Sequence, residues 1–293
     1  MRSPSGLCAA RLALSIADIS RFRRRTALTR SRERHLPATE MTVARKPHRT
    51  LRLVHTSDVH LESDTFGTGA RGDEFRDRVR RAFSGVIDFA NSRESDLLLI
   101  VGDLFDSSRV PDEALKFAMS EIGRARMPVV MIPGNHDAHD ERSIYAPLAA
   151  DALPRNLHLI LEPEGRTIEF PDLAARIWGK ALVEHSPDYR PLMGIPEPAH
   201  DRWNIALAHG LFTEDGDSGR SSPITPQEIE ASAYDYIALG HVHVFGEVSR
   251  GRTKAAYCGT PAPLYSSAEA GWVACVNCVP GEPVTIDRVV VDR

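Results

Sequence analysis

Four cysteines in 293 residues, Cys8, Cys258, Cys275 and Cys278, are too few and too scattered for a disulfide framework. Cys275-Val-Asn-Cys278 has the spacing of half a zinc knuckle, but no second Cys or His pair stands near it. The thiols therefore read as half-buried groups in a reducing cytosol. Long apolar runs are also missing. The patch from Leu12 to Ile19 is short and interrupted by Asp18, which excludes a membrane span or signal-peptide core there and makes a cytoplasmic protein without membrane contact the expectation. Basic charge is scarce after the start of the chain, because residues 1–50 hold 12 of the 36 Lys and Arg but only 3 of the 40 Asp and Glu. The acidic body argues against tight, sequence-independent binding to duplex DNA, which depends on neutralising phosphates. It does not exclude a nucleic-acid substrate, since carboxylates can be engaged by metal ions and a local basic rim can persist on an acidic protein.

Residues 1–50, with Arg21, Arg23, Arg24, Arg25, Arg30, Arg32 and Arg34, read as a basic, disordered tail, and residues 51–293 as one folded domain. Three readings of the tail stay open: dispensable sequence ahead of a start at Met41, a polyanion-binding arm, or a targeting segment. In the body, residues 51–56 form a strand candidate, and Phe75, Val79, Phe83, Val86, Ile87 and Ala90 then recur at helical spacing. Residues 96–101 make a continuous apolar run of buried-strand length, Pro111 opens a helix to about Arg126, and residues 128–132 give the next strand. That alternation implies a parallel sheet with right-handed crossovers. Shorter strands are expected over 174–178, 203–208, 236–239, 245–248, 255–258, 273–278 and 284–291, with one helix near 226–231. Two sheets packed face to face and flanked by helices is the expected α/β architecture.

Five polar motifs each follow an apolar, strand-like run: Asp58-Val-His60, Gly102-Asp103, Gly134-Asn135-His136-Asp137, His209-Gly210 and Gly240-His241-Val-His243. Ligands of parallel sheets bind beyond the carboxyl ends of the strands, so distant residues converge there. Aspartate, histidine and an asparagine carbonyl suit Mn²⁺, Fe or Zn²⁺, and two such ions side by side are an apparatus for attacking a phosphate ester. On a strand His241 and His243 share one face, which would present two imidazoles to adjacent metals.

Read in order, these motifs resemble the calcineurin-like metallophosphoesterase superfamily over nearly all of residues 51–265. The spelling Leu-Val-His-Thr-Ser-Asp58-Val-His60, Gly102-Asp-Leu-Phe-Asp106, Pro133-Gly-Asn-His-Asp137, Ala238-Leu-Gly-His-Val-His243 and Tyr257-Cys-Gly-Thr-Pro261 is most similar to the DNA-repair exonuclease branch, the Mre11/SbcD nucleases. The resemblance implies a four-layer α/β/β/α sandwich, two mixed sheets flanked by helices, and a pair of divalent metal ions, Mn²⁺ foremost with Fe or Zn²⁺ as alternatives. It implies that Asp58, His60 and His243 hold one ion and Asn135, His209 and His241 the other, with Asp103 bridging both. His136 is implied as the group that protonates the leaving oxygen or stabilises the transition state, with Asp137 orienting its ring. Asp106 and Arg109 stay open between outer support of the site and a helix cap or surface charge, and Asp64, His139, His158, His185 and His200 fit no family position. The implied substrate is a phosphodiester in a nucleotide or nucleic acid, with a phosphomonoesterase, protein phosphatase included, and a non-catalytic scaffold as alternatives. An SbcC/Rad50-like ATPase is the implied partner. The residues after Tyr265 read as strands that finish the sheet, so the branch's DNA-binding capping domain and its ATPase-gripping helices are expected to be missing from this sequence.

Overall fold

The computed structural model describes residues 48–146, 148, 153–263 and 271–291. The expected tail lies outside the described residues except for its last three. Of these, Arg49 already touches the body: Trp203 Nε1 donates to its carbonyl at 2.8 Å, and its guanidinium meets Asp96 Oδ1 at 2.8 Å.

Strands and helices alternate through the first half: β1 (Leu51–Thr56), α1 (Ala70–Ser92), β2 (Leu97–Val101), α2 (Asp112–Arg124) and β3 (Val129–Ile132). Phe75, Val79, Phe83, Val86 and Ile87 fall on one face of α1 and are all buried, because a 3.6-residue turn stacks them over the sheet. Each such side chain contributes about 1.5–3 kcal/mol when fully removed from water. Pro111 stands at the N-terminal boundary of α2, where its missing N–H costs no hydrogen bond, and the helix buries Ala114, Ala118, Met119 and Ile122. The chain continues through β4 (Leu157–Leu159), β5 (Arg166–Phe170), β6 (Ala175–Gly179), β7 (Trp203–His209), β8 (Leu211–Phe212) and β9 (Pro223–Ile224). Then come α3 (Pro226–Ser232), started by a Thr225–Glu228 capping box, β10 (Tyr236–Gly240), β11 (Gly246–Glu247), β12 (Lys254–Tyr257), β13 (Gly271–Cys278) and β14 (Thr285–Val291).

The first sheet has the order β14-β13-β1-β2-β3-β4, with β1 to β4 parallel and β13 antiparallel to both β1 and β14. The second has the order β11-β12-β10-β7-β6-β5, with β6, β7, β10 and β12 parallel and antiparallel strands at both edges. Both sheets are therefore mixed. Leu53, Leu99, Val101 and Ile132 of one sheet pack against Ile205, Leu207, Ala238 and Ala256 of the other, while α1 and α2 cover the outer face of the first and α3 that of the second. The result is the expected four-layer α/β/β/α sandwich. Between the sheets His55 Nδ1 meets the Tyr236 hydroxyl at 2.8 Å, and burial holds this imidazole down to about 3, so it is neutral.

Cys275 packs toward the helical layer and Cys278 between the sheets, on opposite faces of β13, so the two thiols cannot share an ion. Among the described residues no helix is long and apolar enough to cross a membrane.

Candidate metal centre

The carboxyl ends of β1, β2 and β3 in one sheet and of β7 and β10 in the other meet along one edge of the sandwich. Each delivers part of one cluster: Asp58 and His60 after β1, Asp103 after β2, Asn135 and His136 after β3, His209 at the end of β7, and His241 and His243 after β10. The backbone turns sharply there. Asp58, His60, Asp103 and His241 all have positive φ, at 54°, 57°, 52° and 101°. That region is open mainly to glycine and, less readily, to Asp, Asn and His, so residue type and backbone agree. Cross-links hold these turns: Asp58 N–H donates to the Gly102 carbonyl (3.1 Å), His60 N–H to that of Asp103 (3.0 Å), and His241 N–H to the Asp58 carboxylate (3.1 Å). Gly134 lies so close to Asp103 that a Cβ there would stand 2.2 Å from Oδ1, which excludes any side chain.

One donor atom from each of Asp58, His60 and His243 lies within 4.8 Å of the others, and the same holds for Asp58, Asp103 and His209. His243 Nε2 is 3.5 Å from Asp58 Oδ1 and 3.2 Å from His60 Nε2. On the other side Asn135 Oδ1 is 3.0 Å from His209 Nε2 and 2.8 Å from His241 Nδ1. Asp103 Oδ2 stands between the two groups, 3.4 Å from His209 Nε2 and 3.8 Å from His60 Nε2. The structure thus gathers the seven residues into two sets around one carboxylate.

The rings are held from behind. His209 Nδ1 lies 2.9 Å from the Val101 carbonyl, which can only accept, so Nδ1 carries the proton and Nε2 faces the cluster. His60 Nδ1 donates to Asp106 Oδ1 at 2.8 Å and likewise turns Nε2 inward. Asp106 is thereby an outer support of His60, whereas Arg109 sits in an exposed turn with its N–H on Ser107 Oγ. Two carboxylates, four imidazoles and an amide oxygen, with rings fixed from outside, fit hard-to-borderline divalent cations.

Without cations the groups share protons. Burial opposes the charged form of His209, but Asp103 and Asp58 outweigh it and lift the ring to about 9. Burial likewise penalises the Asp103 carboxylate, yet His209, His60 and His136 hold it well below the usual range. His241, desolvated and beside His209 and His185, is pushed down to about 4.

Two details differ from the sequence expectation. His241 and His243 lie in the loop beyond β10 rather than on a strand, and the left-handed turn at His241, instead of strand alternation, sends one ring to each half of the cluster. Asp137 does not orient the His136 ring. Its buried carboxylate accepts from the backbone N–H groups of Asp103 (3.2 Å), Leu104 (2.9 Å), Phe105 (3.2 Å) and Gly134 (2.7 Å) and from the Tyr145 hydroxyl (2.5 Å). It pins the loops after β2 and β3 together, while His136 Nδ1 is held by the Asp106 carbonyl at 2.9 Å and the His136 side chain is 42% exposed.

Sequence reasoning assigned no role at the site to four contributors. Ser57 Oγ donates to Asp58 Oδ2 and lies 3.1 Å from Cys258 Sγ, Ser221 Oγ lies 3.3 Å from His241 Nε2, and the His185 ring packs edge-on against His241 with centroids 5.0 Å apart. Ser57 and Cys258 stand inside recognised motifs and were legible by adjacency, but no sequence signal marks Ser221 or His185. Asp64, Arg109, His139, His158 and His200 make no contact with the cluster among the interactions of the described residues.

Comparison with known proteins agrees with this geometry. The chain is 25% identical to the SbcD component of the SbcCD nuclease of Bacillus subtilis (strain 168), over 82% of this chain and 69% of that protein. It is 26% identical to the DNA double-strand break repair protein Mre11 of Methanopyrus kandleri, over 73% of this chain but 49% of that protein, so it spans about half of that relative's length. Its fold is similar to TT1561 of Thermus thermophilus (TM-score 0.52, 11% identity, 82% of this chain and 99% of that one). It is equally similar to the purple acid phosphatase PPD1 of yellow lupin (TM-score 0.52, 11% identity, 83% and 52%). The model of the Calcineurin-like phosphoesterase family matches residues 51–245, and the chain accordingly belongs to that family of dinuclear-metal phosphoester hydrolases.

Proposed function

We propose that this protein hydrolyses phosphodiester bonds in nucleotides or nucleic acids, as a nuclease-like member of its family related to the DNA-repair exonucleases. The observation that carries the reading is the pair of ligand sets, Asp58/His60/His243 and Asn135/His209/His241, arranged on either side of Asp103 with an exposed His136 beside them. The names of the SbcD and Mre11 relatives support a nucleic-acid diester over other esters. Mn²⁺ is the working ion in this reading, and an SbcC/Rad50-like ATPase is the corresponding partner.

Two divalent ions held by these seven residues would supply Lewis acidity toward a water and toward the phosphoryl oxygens. The protein's own groups do the rest. Asp103 keeps the two ligand sets in fixed relation. His136, anchored through Nδ1 on the Asp106 carbonyl, has its other nitrogen available to give a proton to the departing oxygen. Residues 51–293 form the catalytic unit and residues 1–40 are dispensable to it.

The test is to strip the protein of metal, refill it with Mn²⁺, Mg²⁺ or Zn²⁺, and assay a phosphodiester, a phosphomonoester and single- and double-stranded DNA, with Asp103→Asn as blank. Metal-dependent diester or DNA cleavage is expected, and it should survive removal of residues 1–40. Turnover of the monoester alone would replace the reading with a phosphatase, and silence on every substrate would replace it with a scaffold.

A further inference from the structure

Each ligand imidazole needs its outer nitrogen occupied if its inner one is to be aimed. His209 has the Val101 carbonyl and His60 has Asp106, both inside the family motifs. His241 has neither a carbonyl nor a carboxylate. Its Nδ1 faces Asn135 Oδ1 at 2.8 Å, and its outer Nε2 meets Ser221 Oγ at 3.3 Å. We propose that Ser221 is a positioning residue for His241 and thereby sets the affinity of the metal position shared by Asn135, His209 and His241. The inference rests on the dinuclear reading of the site.

The segment that carries Ser221 is held firmly enough for this task. Leu211 N–H donates to the Ser222 carbonyl at 2.8 Å, β8 and β9 pair on either side of the loop, and Ser218 Oγ donates to the Ser221 carbonyl at 2.5 Å. Gly210 is pressed against the same strand: a Cβ there would lie 2.5 Å from the Ser222 carbonyl oxygen. The loop is therefore clamped to the residue that follows His209, one of the same three ligands. Tyr257 strengthens the clamp, its hydroxyl donating to the Gly210 carbonyl (2.8 Å) and accepting from Phe212 N–H (2.7 Å).

A second loop limits the ring from the side. The His185 imidazole packs edge-on to His241, and its loop is anchored by Lys180 Nζ on the Arg190 carbonyl (3.2 Å) and by His139 N–H on the Leu182 carbonyl (2.8 Å). Among the interactions of the described residues His185 packs against the ring without a hydrogen bond to it, and Ser221 is the partner of the outer nitrogen, on the side of the ring away from Asn135. Were His241 to hold a cation through its inner nitrogen, Nε2–H would donate to Ser221 Oγ, a role that threonine can reproduce and alanine cannot.

The experiment is a Co²⁺ titration of the metal-stripped full chain, followed by visible absorption and calorimetry, on wild type, Ser221→Ala and Ser221→Thr. Wild type should take up two ions. Ser221→Ala should weaken one of the two steps about 10- to 100-fold, leave the other in place and alter the absorption band of the weakened site, and Ser221→Thr should restore both. Unchanged steps in Ser221→Ala would overturn the proposal, as would equal weakening of both steps that threonine does not repair, because that pattern belongs to a merely structural residue. A wild-type protein that binds fewer than two ions overturns the dinuclear reading itself, and the role of Ser221 with it.

Discussion

Metal binding should be strongly pH-dependent, and the dependence can be worked from His209. Burial disfavours its charge, but Asp103 Oδ2 at 3.4 Å and the nearby Asp58 carboxylate raise its proton affinity to about 9. At pH 7, about two units lower, only about 1% of metal-free molecules have Nε2 free for a cation. Displacing that proton costs about 2.7 kcal/mol, or roughly a hundredfold in apparent affinity at pH 7. Calorimetric titration of the stripped protein with Zn²⁺ at pH 6, 7 and 8, in buffers of different ionisation enthalpy, should show affinity rising about tenfold per pH unit with release of about one proton from this ring. A parallel effect appears in stability. Because the folded value lies above the unfolded one, near 6.5, the favourable contribution of protonated His209 is complete below about 6.5 and is lost as pH rises through about 9. The stripped protein should therefore lose melting temperature across that window while the loaded protein does not lose this contribution. Affinity independent of pH, or proton uptake on binding, would refute the assignment of a shared proton to His209 and Asp103.

Asp103→Asn should empty both ion positions together and abolish turnover, as read by metal content after dialysis; two retained ions with full turnover would remove Asp103 from between the sets. His136→Ala should retain both ions yet lose about 10²- to 10⁴-fold in rate, most for poor leaving groups, which a leaving-group series measures directly. Asp137→Ala should destabilise the fold by about 3–5 kcal/mol in urea denaturation, because it strands four buried backbone N–H groups and the Tyr145 hydroxyl, whereas Tyr145→Phe removes one bond to a carboxylate and should cost about 2.

The fold was legible wherever periodicity was strong. The α1 face from Phe75 to Ala90 and the apolar run of β2 identify themselves, and the order of strands and helices dictates a parallel arrangement. Less visible were β4, β5, β8 and β9, which are two to five residues long and mostly half-buried, so that neither alternation nor an apolar run marks them. The candidate ligands were legible because each stands beside a strand end. What contacts their far sides was not: sequence gives Asp106 two equal readings and only its contact with His60 Nδ1 decides between them, and Ser221 lies 20 residues from His241 with no motif of its own. Asp137 shows the converse error. Its position next to His136 in sequence suggested a partner for that ring, but a carboxylate with no solvent is drawn to the densest set of buried donors, and those are the backbone N–H groups of the two loops.

This arrangement explains why the loops are so heavily cross-linked. Left-handed backbone at Asp58, His60, Asp103 and His241 is unfavourable by about 1–2 kcal/mol per residue relative to ordinary conformations. Crowding Asp58 and Asp103 together while both are desolvated adds to that, and Asp103 is among the groups that, with burial, raise Asp58 above the ordinary carboxylate range. Local sequence preference could not hold such turns alone. The Asp137 carboxylate, the Gly134 approach and the loop-to-loop bonds from Asp58 and His60 do so by tying each turn to its neighbour, so the geometry is set before any cation arrives. Cations entering this cluster relieve the carboxylate repulsion that the metal-free protein must tolerate, and binding there should therefore stabilise the fold in proportion to the logarithm of ion concentration over the dissociation constant.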